Sequence, residues 1–213
     1  MKNTRTSLPL KLLIGLGAVA VLGYLFVRSL ETTHAEPYLV ERAHMRTWTL
    51  VLEPVEGHTS PLLSLRTSGE LAASLFRQLF RRTMESMSGS VHSSIPIVLN
   101  GEFARALSAR MTPGELLASA RDAGLEAAAH EPRCLAHLRK SEPGSTRQGY
   151  IVLVTSPSIV AFREQLARTA PNGFEAAALA PIMFVGASDP EFHRWLPLRA
   201  GDADCVSPVQ ITE

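Results

Sequence analysis

The chain has 213 residues, a formal net charge of +1 and 46% hydrophobic residues. That is enough for one domain with a real core. The charge is split: +3 over residues 1–35 and −2 over the remainder, which excludes the basic footprint of a nucleic-acid binder and the polybasic patch of an anionic-lipid binder. The excess of Arg over Lys, 18 to 3, fits a GC-rich bacterial genome.

Lys2, Arg5 and Lys11 precede an uncharged apolar run, Leu12–Val27, which Arg28 closes. A basic flank before an apolar run predicts a membrane segment at about 9–28, with the N-terminus cytoplasmic and the rest exported. Two readings follow. In the preferred one, residues 1–35 form a cytoplasmic tip, a single-pass transmembrane helix of the bacterial inner membrane, and a spacer. In the other, the segment is cleaved after Ala35. Residues 36–213 then make one extracytoplasmic domain, periplasmic or extracellular. The basic start, the apolar run and Tyr38-Leu39-Val40-Glu41-Arg42 resemble the start of periplasmic adaptor subunits of efflux pumps. That family implies a coiled-coil hairpin between lipoyl-like halves. No such heptads follow here, so the resemblance stays confined to the N-terminal end.

Arg46–Leu52 alternates, with Trp48, Leu50 and Leu52 on one face, and predicts a half-buried strand. Pro61–Arg66 is a second short strand. Ser68 caps a helix to about Met87, with Leu71, Leu75, Leu79 and their neighbours on its apolar side and Arg77, Arg81 and Arg82 opposite. After the polar stretch 86–94 come a strand, Ile95–Leu99, and a helix over Glu102–Met111 with Phe103, Ala106 and Leu107 inward. Thr112, Pro113 and Glu115 form a capping box that opens a helix over 113–123, stopped at Gly124. Cys134–Lys140 and Tyr150–Thr155 read as strands of a hairpin joined by a long polar loop. Ser156-Pro157 starts a helix to Thr169 whose apolar side carries Ile159, Phe162 and Leu166. Leu179–Val185 is a buried strand, a short helical piece is expected around Glu191–Trp195, and Cys205–Ile211 is an edge strand interrupted by Pro208. The expected fold class is α+β: one N-terminal transmembrane helix, then a mostly antiparallel sheet with helices packed on one face.

The chain has two cysteines, Cys134 and Cys205. In an oxidising compartment an even pair predicts a disulfide; the alternative is two separate buried thiols. His130, Cys134 and His137 offer imidazole and thiol groups suited to zinc or copper. Pro132 breaks a helical reading of that stretch, and on a strand Cys134 and His137 point to opposite faces. A metal is therefore expected only in the alternative in which the domain is an exported metal-dependent or hydrolytic enzyme; otherwise no cofactor is expected. Gly186-Ala187-Ser188-Asp189-Pro190 starts like a nucleophile elbow but has Pro190 where the elbow needs Gly, so Ser188 or Asp189 reads as a helix cap. P-loop, Gly-x-Gly-x-x-Gly and His-Glu-x-x-His patterns are absent from the sequence.

With an expected anchor and no catalytic constellation, the leading expectation is a membrane-anchored, non-enzymatic binding or accessory module for another envelope protein or a ligand. Its contacts are sought in the polar loop, at Arg147 and Gln148, and at Phe192, His193, Arg194 and Trp195, where aromatic and Arg side chains suit a hot spot.

Overall fold

The computed structural model describes residues 17–24, 36–53, 57–142, 144–170, 173–189 and 199–213. The chain separates into two compact units, residues 1–36 and 37–213.

In the first unit, residues 17–24 form a helix, α1, with Val19, Val21, Leu22 and Tyr24 exposed. The structure corrects the expected anchor. Among the described residues no helix is long and apolar enough to cross a membrane. Residues 9–16 and 25–28 of the expected span, and the cleavage site at Ala35, lie outside the described residues. The single-pass, inner-membrane placement drawn from that span falls with it.

The second unit is α+β. Its strands are β1 (Tyr38–Glu41), β2 (Thr49–Leu52), β3 (Pro61–Thr67), β4 (Ser88–Gly89), β5 (Ser93–Leu99), β6 (Glu131–Glu142), β7 (Ser145–Thr155), β8 (Ile182–Ala187) and β9 (Cys205–Thr212). They form a six-stranded sheet in the order β1-β9-β6-β7-β8-β4 and a three-stranded sheet in the order β2-β3-β5. The larger sheet is mixed: β1 runs parallel to β9, while the other pairs are antiparallel. β5 lies against β8, so the two sheets meet around one core.

The helices follow the apolar spacing. α2 (Gly69–Thr83) starts at Ser68, whose hydroxyl accepts from Glu70 N, and ends at Met84 in a left-handed conformation (φ 54°). Leu71, Ala72, Leu75 and Leu79 are its buried stripe. The helix expected over 102–111 is instead one α turn, α3 (Asn100–Glu102), that widens into a π turn over Phe103–Leu107, with Ser108 N donating to Phe103 O. α4 (Pro113–Asp122) carries the expected capping box: Thr112 Oγ1 accepts from Glu115 N, and Glu115 Oε2 accepts from Thr112 N at 2.6 Å. α5 (Pro157–Thr169) is capped by Ser156. All three longer helices feed the larger core cluster with the inner face of the big sheet (Leu135, Tyr150, Val152, Met183, Val185) and the three-stranded sheet (Leu50, Leu63, Leu65, Ile95, Ile97). The opposite face of the big sheet carries a smaller cluster of Cys134, Ala136, Leu138, Ile151, Leu153, Ile182 and Ala187. Strand parity makes this division, since successive side chains of β6 and β7 alternate between the two clusters.

A buried ion pair ties the helical side together. Arg163 on α5, only 1% exposed, meets Glu102 through Nη2–Oε1 at 2.7 Å and Nη1–Oε2 at 3.1 Å. Its remaining donors reach the carbonyls of Ile97 (2.6 Å), Glu175 (3.0 Å) and Ala176 (2.8 Å). Glu102 Oε2 also accepts from Leu99 N at 3.0 Å.

The outer edge of β1 is covered by a side chain. Leu39 N donates to Gln78 Oε1 (2.9 Å), and Gln78 Nε2 donates to Leu39 O (2.7 Å), so one carboxamide on α2 takes the place of a neighbouring strand. On β8, the strand next to the other edge, Gly186 sits beneath the Phe76 ring; a Cβ there would lie 2.9 Å from Phe76 Cδ2, which makes glycine the residue that fits.

Candidate functional site

The loop expected over 141–149 is mostly strand. β6 runs to Glu142, β7 begins at Ser145, and the ladder continues through Arg139↔Gln148, Lys140↔Arg147, Ser141↔Thr146 and Glu142↔Ser145. Two residues join the strands, with Gly144 at φ 86°, a value that favours glycine. The stretch reads as a loop because both of its faces are polar, so no apolar period marks the strand.

This hairpin outruns its neighbours. The β6–β9 ladder ends at Ala136↔Cys205 and the β7–β8 ladder at Gly149↔Ala187. One further rung is made by Ser188, whose N donates to Gln148 O (2.9 Å) and whose hydroxyl accepts from Gln148 N (3.0 Å). Ser188 therefore extends a sheet ladder, and the helix it was expected to cap lies outside the described residues. Arg147, which pairs with Asp189 at 3.4 Å, and Gln148 are thus side chains of β7, not of a loop. Phe192, His193, Arg194 and Trp195, and the short helix expected around them, lie outside the described residues.

At the base of the hairpin stands a cluster that composition alone does not mark. His137 and Tyr150 are cross-strand partners, and their rings stack with centroids 4.3 Å apart and planes 3° from parallel. Tyr150 Oη donates to Glu85 Oε2 at 3.2 Å, just past the end of α2. His137 Nε2 lies 3.3 Å from the Gln148 carboxamide oxygen and 3.4 Å from Arg139 Nε. Arg82, in the last turn of α2, lies over the Tyr38 ring at 4.0 Å. The signal for this cluster was the period of two: carried past Lys140, it places His137 and Arg139 on the same face as Gln148 and Tyr150.

The ionisable groups here are displaced from their ordinary values. Burial pushes the Tyr150 hydroxyl well up, and the Glu85 carboxylate adds to the effect. Burial also raises Tyr38, against the opposing pull of Arg82. His137 is held below its usual range, first by burial and then by the Arg139 guanidinium, with Gln148 and Glu85 acting the other way. The tyrosine thus remains a neutral donor, and the cluster presents a guanidinium, a carboxamide and stacked rings.

The three residues of the metal alternative are not brought together. His130 sits in the core, edge-on to Trp48 at 5.2 Å, with Nε2 donating to Leu125 O (2.8 Å) and Nδ1 accepting from the Ser156 hydroxyl (2.8 Å). Cys134 belongs to the smaller cluster and is bonded to Cys205, with Cα atoms 5.8 Å apart. His137 faces the other side of the sheet, as strand parity requires. Among the described residues no group of three or more His, Cys, Asp or Glu side chains is placed to hold a metal ion.

Burial lowers His130, against the opposing effect of the Leu125 carbonyl, so both core-facing histidines fold as neutral imidazoles. Below the ordinary value near 6.5, the unfolded chain binds protons that the native state refuses. Stability from these groups is therefore complete above that value and falls as pH drops toward the depressed native ones. Urea midpoints should decline between about pH 7.5 and about pH 5.5, and His137→Gln should flatten the decline. A midpoint flat across that range in the parent protein would contradict the assignment.

No protein-family model matches the chain, no curated protein matches it, and no solved structure matches its fold.

Proposed function

We propose that residues 37–213 form a non-enzymatic binding or accessory module that works in an oxidising, extracytoplasmic compartment. It holds another envelope protein or a ligand through the distal half of the β6–β7 hairpin. The observation that carries this reading is the hairpin itself, which continues past the last rungs it shares with β9 and β8 and carries Arg139, Arg147 and Gln148 outward from the sheet. Two further observations support it. The buried imidazole of His130 is held through both ring nitrogens, by the Leu125 carbonyl and the Ser156 hydroxyl. The chain's two cysteines are joined to each other, the form that persists where thiols are oxidised.

The test is to replace Ser141–Thr146 by Asn-Gly, which closes the strands with a tight turn just beyond Lys140 and Arg147, and in the same chain to introduce Arg139→Ser and Arg147→Ser. The variant should melt within about 2 °C of the parent, because it removes exposed rungs and no core residue. It should also lose the proteins that cross-link to the parent in the cells that make it. An unchanged cross-linking pattern would show that the distal hairpin is not the contact surface.

A further inference from the structure

The Cys134–Cys205 bond crosses a short ladder. β9 is attached to β6 by three residue pairs, Cys134↔Pro208, Leu135↔Ser207 and Ala136↔Cys205, with a register shift before the last. Pro208, opposite Cys134, has no N–H to contribute. The disulfide runs diagonally from the first pair to the third, so it carries covalently what the backbone ladder carries weakly.

The two sulfurs are not equivalent in their surroundings. Cys134 is 5% exposed and packs among Ala136, Leu138 and Ile151. Cys205 is half-buried at the start of β9, and both cysteines line a shallow open cavity of about 450 Å³ with Arg133, Asp202, Val206, Ser207 and Pro208, so the difference between them is one of exposure. Arg133 falls at an irregularity in the β6–β7 register between Pro132 and Cys134 and is paired with Asp202. Its guanidinium therefore stands at the rim of the cavity that opens onto the bond. A cation in that position favours both an arriving thiolate and a departing one.

We infer that Cys134–Cys205 is a thiol–disulfide exchange site, entered from this cavity, whose co-substrate is a protein dithiol. A thiolate of the partner attacks Cys205 Sγ. The Cys134–Cys205 bond breaks, a mixed disulfide forms between the partner and Cys205, and Cys134 leaves as a thiolate that takes a proton from water. The partner's second thiolate then attacks its own sulfur in the mixed disulfide. Cys205 leaves as a thiolate and is protonated. The partner ends as the disulfide and this chain ends with two thiols, a transfer of two electrons. The inference does not depend on the hairpin reading.

The experiment uses the full chain in native buffer and reduced thioredoxin whose resolving cysteine has been changed to serine, so that the first adduct is trapped. Peptide mass mapping without reductant should show a stoichiometric adduct on Cys205, and Arg133→Ala should slow its formation. Intact reduced thioredoxin should yield two thiols per chain with no denaturant present. An adduct that forms only after unfolding in urea, or one carried by Cys134, would overturn the assignment.

Discussion

Arg163→Met is expected to destabilise the protein by about 3–5 kcal/mol, the range for breaking a buried ion pair by removing one partner. The guanidinium is 1% exposed and spends its donors on Glu102 and on three carbonyls, those of Ile97, Glu175 and Ala176. Methionine fills much of the volume but takes the guanidinium donors away from all of them, with Glu102, at 5% exposure, left a buried carboxylate facing the N–H of Leu99. Glu102→Gln should cost less, since a carboxamide oxygen can still accept from Arg163. The double variant Glu102→Leu/Arg163→Met should recover part of the loss, because it removes the stranded carboxylate but not the stranded carbonyls. Denaturant unfolding of the four proteins decides the matter. A loss below about 1 kcal/mol for Arg163→Met would mean that water reaches the pair.

Removing the cross-link is the second large effect. Cys134→Ala/Cys205→Ala frees a loop whose ends are 71 residues apart in sequence, for which chain entropy gives up to about 4 kcal/mol. At about 2–4 °C per kcal/mol for a domain of this size, the melting temperature should fall by roughly 8–16 °C. The single variant Cys205→Ala should fall at least as far, since it leaves Cys134 as a lone thiol under the sheet. An unchanged melting temperature for the double variant would show that the unfolded chain is already confined without the bond.

What could be read from sequence follows the range of the interactions. α2, α4 and α5 were legible because their caps and apolar stripes are local: Ser68, Thr112 with Glu115, and Ser156-Pro157 each mark a start within four residues. Trp48 and Leu50 point inward as their alternation predicts. The parallel pairing of β1 with β9 carries no local mark, and neither does the division into two sheets. The distal hairpin was missed because its rungs bury nothing. The Arg163–Glu102 pair left a trace that went unused: Arg163 follows Ile159 by four positions and precedes Leu166 by three, which puts a cation on the buried stripe. The apolar run near the N-terminus misled in the opposite direction. Its hydropathy suits a membrane, yet no described helix has the length. Of the residues around the hairpin, the sequence singles out Arg147 and Gln148 as binding candidates and His137 as a ligand in the metal alternative. Tyr150 and Glu85 reach the candidate site from parts of the chain 65 residues apart.

The partnership of β1 with β9 has a consequence for how the chain is made. Thr212 Oγ1 donates to Val40 O across 172 residues of sequence, and the first strand of the domain has no strand neighbour among the described residues except the last. During synthesis β1 must wait for its strand partner until β9 emerges. Such high contact order slows folding and prolongs exposure of an apolar segment. Nascent chains stalled before residue 205 should therefore remain bound to a holdase chaperone, and release should coincide with the arrival of the final eight-residue strand.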